Sequence, residues 1–186
     1  SYVFTNTVSA ASWTVPSFMS MFTSRYPSEH KLTNKLVEVE TATSTYLRTA
    51  HMQELSPGIV TLAEILESEG YDTAAFTGDA GVKGEYGYSA GFDEYYDKDA
   101  FGGLYGSVPR ALGWVAQRPL KERPFFMFVH GYDVHGQYTP QFGLDYRYAP
   151  EYDGRFIGTP EEQSELRERG LGGKKLNVTD EDIAFW

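Results

Sequence analysis

Pro124-Phe-Phe-Met-Phe-Val-His130 is the stretch on which the fold turns. Five consecutive apolar residues leave no wet face. The run therefore reads as a strand buried on both faces, as inside a parallel sheet. Working backward, residues 107–117 set Val108, Leu112 and Val115 on one side of a helix, with Pro109 near its start. Further back, residues 71–77 read as a second strand. It is entered from a helix that opens on the capping box Thr61-Leu-Ala-Glu64, carries Leu62, Ile65 and Leu66 as an apolar stripe, and closes at Gly70. Strand and helix alternate, which predicts an α/β fold. In such folds ligands gather beyond the C-terminal ends of the strands.

The chain has 186 residues, which fits one domain with a single good core. No apolar run is long enough to span a membrane, and no charged leader with an apolar core is present. The first residue is Ser1 rather than Met, which is compatible with a leader that was removed or never included. The absence of cysteine excludes disulfides and thiolate metal sites and leaves the redox compartment undecided. A net charge of −10 argues against nucleic acid or an anionic membrane as partner and otherwise reads as a solubilising surface.

A second stretch, Ser12-Trp-Thr-Val-Pro-Ser-Phe-Met-Ser-Met-Phe-Thr-Ser-Arg-Tyr-Pro-Ser-Glu-His30, predicts a helix with Pro16 near its start. Phe18, Met19, Met21 and Phe22 form its expected buried face. Thr14 then sits at the first turn, facing unpaired backbone N–H groups and the positive end of the helix dipole, where an anion is favoured. On spacing alone, Ser, Thr and Pro here read as caps before they read as a nucleophile.

Elsewhere, residues 2–8 read as a short strand or extended lead-in, and Val37 and Val39 as a short strand. Residues 41–45 read as loop, giving way to an unassigned stretch over 46–52. Asp97-Lys-Asp99 followed by Gly102 imitates a calcium loop, but Phe101 and Val108 stand where oxygen ligands are needed. Residues 119–122 read as a turn, and 145–156 as a long ordered loop. Helices are expected from Thr159, with Gly170 after the end of the first, and from Thr179.

The stretch from Thr14 to His30 resembles the signature of the sulfatase family, within the alkaline phosphatase superfamily. Thr14 falls on the nucleophile position; Pro16, Ser17, Thr23, Pro27 and His30 match, and Met21 takes a leucine place. Phe18 stands where the family has arginine. Gly70-Tyr71-Asp72-Thr73 and Gly91-Phe92-Asp93 resemble further family segments. The resemblance implies an alkaline phosphatase-like α/β/α sandwich with a mostly parallel sheet, incomplete in this chain, with residues 1–186 a partial catalytic domain. His135, in Gly131-Tyr-Asp-Val-His-Gly-Gln-Tyr138, matches the histidine that touches the leaving oxygen. Lys83 lies in the loop where the family places anion-binding residues, off register, and equally reads as an exposed lysine. His130 reads as structural.

Family sulfatases convert Cys or Ser to formylglycine. Thr14 is not a substrate for that change, so the resemblance implies a plain threonine nucleophile held by a divalent metal (Ca, Mn or Zn), with phosphorus favoured over sulfur in the ester. It thus assigns Thr14 and His135 to catalysis, Ser17 and Lys83 to substrate binding, and Thr14 to the metal. The family's paired aspartates and its later Asp-His pair have no counterpart here. The expectation is an isolated chain that binds metal poorly and is inactive, with an exposed sheet edge open to self-association. The alternative is a non-catalytic sulfatase-like module that associates with a partner chain; a sulfatase independent of formylglycine ranks last. Export to the periplasm or beyond is implied by resemblance only.

Overall fold

Asp72-Thr-Ala-Ala-Phe76 sits at the centre of the sheet, and its small and apolar side chains suit a strand covered on both faces. The computed structural model describes residues 2–118, 123–136 and 151–185. In chain order these form α1 (Thr14–Thr23), α2 (Pro27–His30), β1 (Leu36–Glu40), β2 (Thr45–Thr49), α3 (Met52–Leu55), α4 (Leu62–Ser68), β3 (Asp72–Phe76), a 3₁₀ turn (Gly84–Tyr86), β4 (Glu94–Tyr96), α5 (Leu104–Gln117), β5 (Phe125–Val129), α6 (Pro160–Leu171) and α7 (Asp180–Phe185). The expected turn over 119–122 and residues 145–150 of the expected loop over 145–156 lie outside the described residues. The chain divides into two compact units, Ser1–Tyr132 and Asp133–Trp186.

In the first unit the sheet order is β4-β3-β5, all parallel. The register pairs Asp72 with Phe125 and Phe76 with Val129 on one side of β3, and Ala74 with Glu94 on the other. Period-two alternation sorts the side chains. Phe128 and Tyr95 join Val15, Met19 and Phe22 of α1 on one face. Ala74, Phe76, Tyr96, Met127 and Val129 join Ala111 and Trp114 of α5 on the other. Helices therefore cover both faces of a mostly parallel sheet. The expected α/β architecture, with an incomplete sheet, is what the chain adopts.

Several local expectations need correction. The apolar run 125–129 is only half-buried, with Phe125 47% exposed, because β5 pairs on one side alone among the described residues. Helix α5 begins three residues earlier than expected and turns a different stripe inward: Ser107 and Ala111 are buried, while Val108, Leu112 (64% exposed) and Val115 face out. Small side chains let the helix backbone approach the sheet closely, and that contact wins over the larger residues on the adjacent stripe. The same occurs in α4, where Ala63 is buried and Leu62 and Ile65 are exposed. Met21 is 66% exposed, although Met19 and Phe22 are buried as expected. Residues 2–8 form no strand. The unassigned stretch supplies β2, which pairs antiparallel with β1.

In the second unit, Thr159 and Glu162 close a capping box on α6, which has no buried residue and so is the charged, solvated helix expected. Gly170 lies inside α6, and Gly172 is its C-cap. Tyr152 stacks on Phe185 with ring centroids 4.2 Å apart and donates to Asp182 Oδ1 at 2.6 Å.

Candidate functional site

Beyond the C-terminal ends of β3 and β5 three segments of the first unit converge. The chain leaving β3 turns at Thr77, whose hydroxyl donates to the Tyr96 carbonyl at 3.1 Å and accepts from the Asp79 N–H at 3.3 Å. Asp79 and Ala80 both hold left-handed backbone, with φ of 59° and 52°. Two glycines make the close approaches that follow. A Cβ on Gly78 would lie 2.0 Å from the Gly102 carbonyl oxygen. A Cβ on Gly81 would lie 2.8 Å from the Thr14 Cβ, its Cγ2 and the Tyr132 hydroxyl. Only glycine admits such contact.

Thr14 is the first residue of α1, and Trp13 before it is extended and caps nothing with its side chain. No acidic residue occupies that first turn, so its N–H groups and dipole are left to whatever anion is near. The Tyr132 hydroxyl accepts from the Gly81 N–H at 2.6 Å, and the Thr14 side chain packs against the same glycine. Burial pushes the Tyr132 phenol up, while the Gly81 and Thr14 contacts pull it back. The net shift is upward, so the phenol keeps its proton at neutral pH. Two more phenols brace the loop: Tyr88 donates to the Val15 carbonyl, and Tyr95 donates to the Val82 carbonyl at 2.7 Å.

Lys83 stands two residues after Gly81. Its ammonium is 3.7 Å from Asp79 Oδ1 and 3.6 Å from Glu85, and the Asp79 charge foremost raises its pKa. Ser17, in the first turns of α1, meets the hydroxyl of Ser9 at 2.7 Å. His130 follows β5, its ring edge-on to Phe18 at 5.1 Å and to Tyr132 at 4.7 Å. His135 is an exposed residue of the second unit, with Nδ1 2.7 Å from the Gly136 carbonyl oxygen. Within the first unit, then, Thr14 and the loop that carries Lys83 are brought together through Gly81. Asp79, Gly81 and Tyr132 belong to this cluster and were not among the sequence candidates. The Gly-Asp-Ala-Gly run at 78–81 and a tyrosine just past an apolar strand are the signals that mark them.

The family model described as Sulfatase matches residues 1–183. The chain belongs to the sulfatase family. No curated protein and no solved structure matches it. Membership makes this sulfatase-family chain a sulfatase-like hydrolase at family level, and the family generally uses a divalent metal. Among the described residues no group of three or more His, Asp or Glu side chains could hold a metal ion. Such ions take four to eight ligands, and no cluster of that kind surrounds Thr14 among the described residues. The described residues by themselves do not fit that metal. A hollow in the second unit is lined by Arg155, Glu162, Glu165 and Arg169 among others.

Proposed function

We propose that this sulfatase-family chain carries the nucleophile of an enzyme that cleaves sulfate or phosphate esters, phosphodiesters among them, with Thr14 as the attacking hydroxyl. One observation carries the reading. Thr14 stands at an uncapped helix start, beyond the C-terminal edge of a parallel sheet, with Gly81 pressed against it and the Tyr132 hydroxyl held by the same glycine. The N–H groups of the first turn favour the anionic group under attack, and Lys83 adds a positive charge two residues from Gly81. Tyr132 orients the hydroxyl. Ser17 contributes a second hydroxyl one helical turn on, and His135 serves as the acid that protonates the departing alkoxide. The 186-residue chain alone is proposed to have little activity, since its described donors fall short of a metal site.

The test is turnover of an aryl sulfate and an aryl phosphodiester by the full-length protein, assayed with Mn²⁺ or Zn²⁺ present. Thr14→Ala is expected to lower turnover about a thousand-fold or more, the scale on which removing a nucleophile acts. Turnover that survives the exchange removes Thr14 from the mechanism.

A second reading, a non-catalytic module that associates with another chain or with itself, is favoured by a different observation. Leu104, Val108, Leu112 and Val115 of α5 stand exposed together, and β5 offers one unpaired side among the described residues.

A further inference from the structure

Helix α1 packs through the apolar side chains of Val15, Met19 and Phe22, and such packing has no preferred direction. By itself it does not fix how far the helix is turned about its axis. Thr14 leaves little tolerance there, with the Gly81 backbone already against its methyl. A side-chain atom about 5 Å from a helix axis moves about 1 Å when the helix turns by roughly 12°. A displacement of that size at a reacting atom costs on the order of a hundred-fold in rate.

A directional contact to α1 comes from His30, at the end of α2. The imidazole is wholly buried. Its Nδ1 accepts from the Leu32 N–H at 3.2 Å, which leaves the proton on Nε2, and Nε2 meets Ser20 Oγ of α1 at 3.1 Å. Helix α2 is itself tied down. The Ser56 hydroxyl donates to the Glu29 carbonyl at 2.7 Å, and the Glu29 carboxylate accepts from the Tyr26 N–H at 3.1 Å and from Arg25 at 3.3 Å. Ser20 lies on the same helix as Thr14, so what holds one holds the other. We infer that neutral His30 is a positioning residue for Thr14, setting the rotation of α1 through Ser20. The inference rests on the ester-cleaving reading above and gives His30 no contact with substrate.

A protonated ring has no acceptor for the Leu32 N–H, so the bridge holds only while His30 is neutral. Burial lowers the ring's pKa; the backbone of Pro16 and of His30 and the Glu29 charge raise it by less. Glu29 is the charged group that acts on the ring, whereas Ser20 and Leu32, which face it from α1 and from the chain after α2, do not titrate. Turnover should therefore fall on the acid side, at a pH below 6.5.

The test is turnover of an aryl phosphodiester by the full-length protein with Mn²⁺, from pH 7.5 to 5, well below the melting temperature. Alanine is the better helix former, so Ser20→Ala is expected to fold. It should lower kcat about 10- to 100-fold and leave KM within about two-fold. Thr61→Ala is the control for lost stability, because the Thr61 hydroxyl bonds only to Glu64 and Ala90, and it should leave kcat unchanged. His30→Gln keeps an amide donor for Ser20 and cannot titrate. It should retain most of the parent kcat at pH 7.5 and lose the part of the acid-side fall that belongs to the ring. Equal loss of kcat in Ser20→Ala and Thr61→Ala overturns the inference, by making the loss one of stability. Unchanged kcat in Ser20→Ala overturns it too, as does the same acid limb in His30→Gln and the parent. Turnover that is absent from the parent, or that survives Thr14→Ala, overturns the ester-cleaving reading and this inference with it. Thr14-dependent turnover that ignores Ser20 and His30 overturns this inference alone.

Discussion

His30 makes the clearest residue-scale case of sequence pattern and structure giving different roles. The signature places it as the trailing histidine, and the structure buries it completely. Nδ1 accepts from the Leu32 N–H at 3.2 Å, so the proton resides on Nε2, which faces Ser20 Oγ at 3.1 Å. Burial, more than any other influence, lowers its pKa from the ordinary 6.5. The unfolded chain therefore takes up this proton near pH 6.5, and the folded chain only at lower pH. Between the two values the unfolded state holds more protons. Stability is thus full above pH 6.5 and is lost as the pH falls toward the folded value. Melting temperatures measured from pH 7.5 down to 5 should decline, and His30→Gln should flatten that decline while lowering the plateau. An equal slope in the variant would assign the loss to other groups. Thr14 is legible in the sequence because Pro16 and the residues after it announce a helix start. Tyr132 is not, because its contact with Gly81 is made across 51 positions of chain, and Asp79 is not, because nothing in a Gly-Asp-Ala-Gly run announces a left-handed, buried aspartate.

At the scale of elements, capping reads well and faces read poorly. Thr61 and Glu64 form the expected box: the Glu64 N–H donates to Thr61 Oγ1 at 3.1 Å and the Thr61 N–H to Glu64 Oε2 at 2.7 Å. The Thr61 hydroxyl also donates to the Ala90 carbonyl at 2.9 Å, tying α4 to the loop that leads into β4. Thr61→Ala should therefore cost about 1–2 kcal/mol by chemical denaturation, at the upper end of cap losses, and Thr61→Ser should restore most of it. Capping depends on residues three apart, and the sequence displays them. The inward stripe of a helix depends on what it packs against. In α5 both Ser107-Ala111 and Val108-Leu112-Val115 satisfy helical spacing, and only the sheet chooses between them. β2 escapes a reading from pattern because nearly all of it is exposed, so no alternation is imprinted on Thr45–Thr49.

Over the whole molecule, strand and helix alternation is legible because each parallel strand needs a crossover before the next. Helices on both faces of β4-β3-β5 bear that out. Full burial of β5 does not follow from its composition, since an edge strand can be as apolar as a central one. That edge and the exposed side of α5 set an expectation for association. Sedimentation at rising concentration should show reversible self-association, and Leu112→Lys should shift it toward monomer without lowering the melting temperature, because the side chain is already 64% exposed. A parent protein that stays monomeric at every concentration would remove self-association from consideration.

The methyl of Thr14 has its own consequence. It rests against the Gly81 backbone, whose N–H is held by the Tyr132 hydroxyl, and the Thr14 hydroxyl shares its carbon. A branched carbon cannot turn one substituent without turning the other. Replacing Thr14 by serine would keep the oxygen and lose the rudder, freeing the hydroxyl to swivel among three wells. Threonine at this position is thus a way of fixing the direction of an oxygen atom by wedging a carbon.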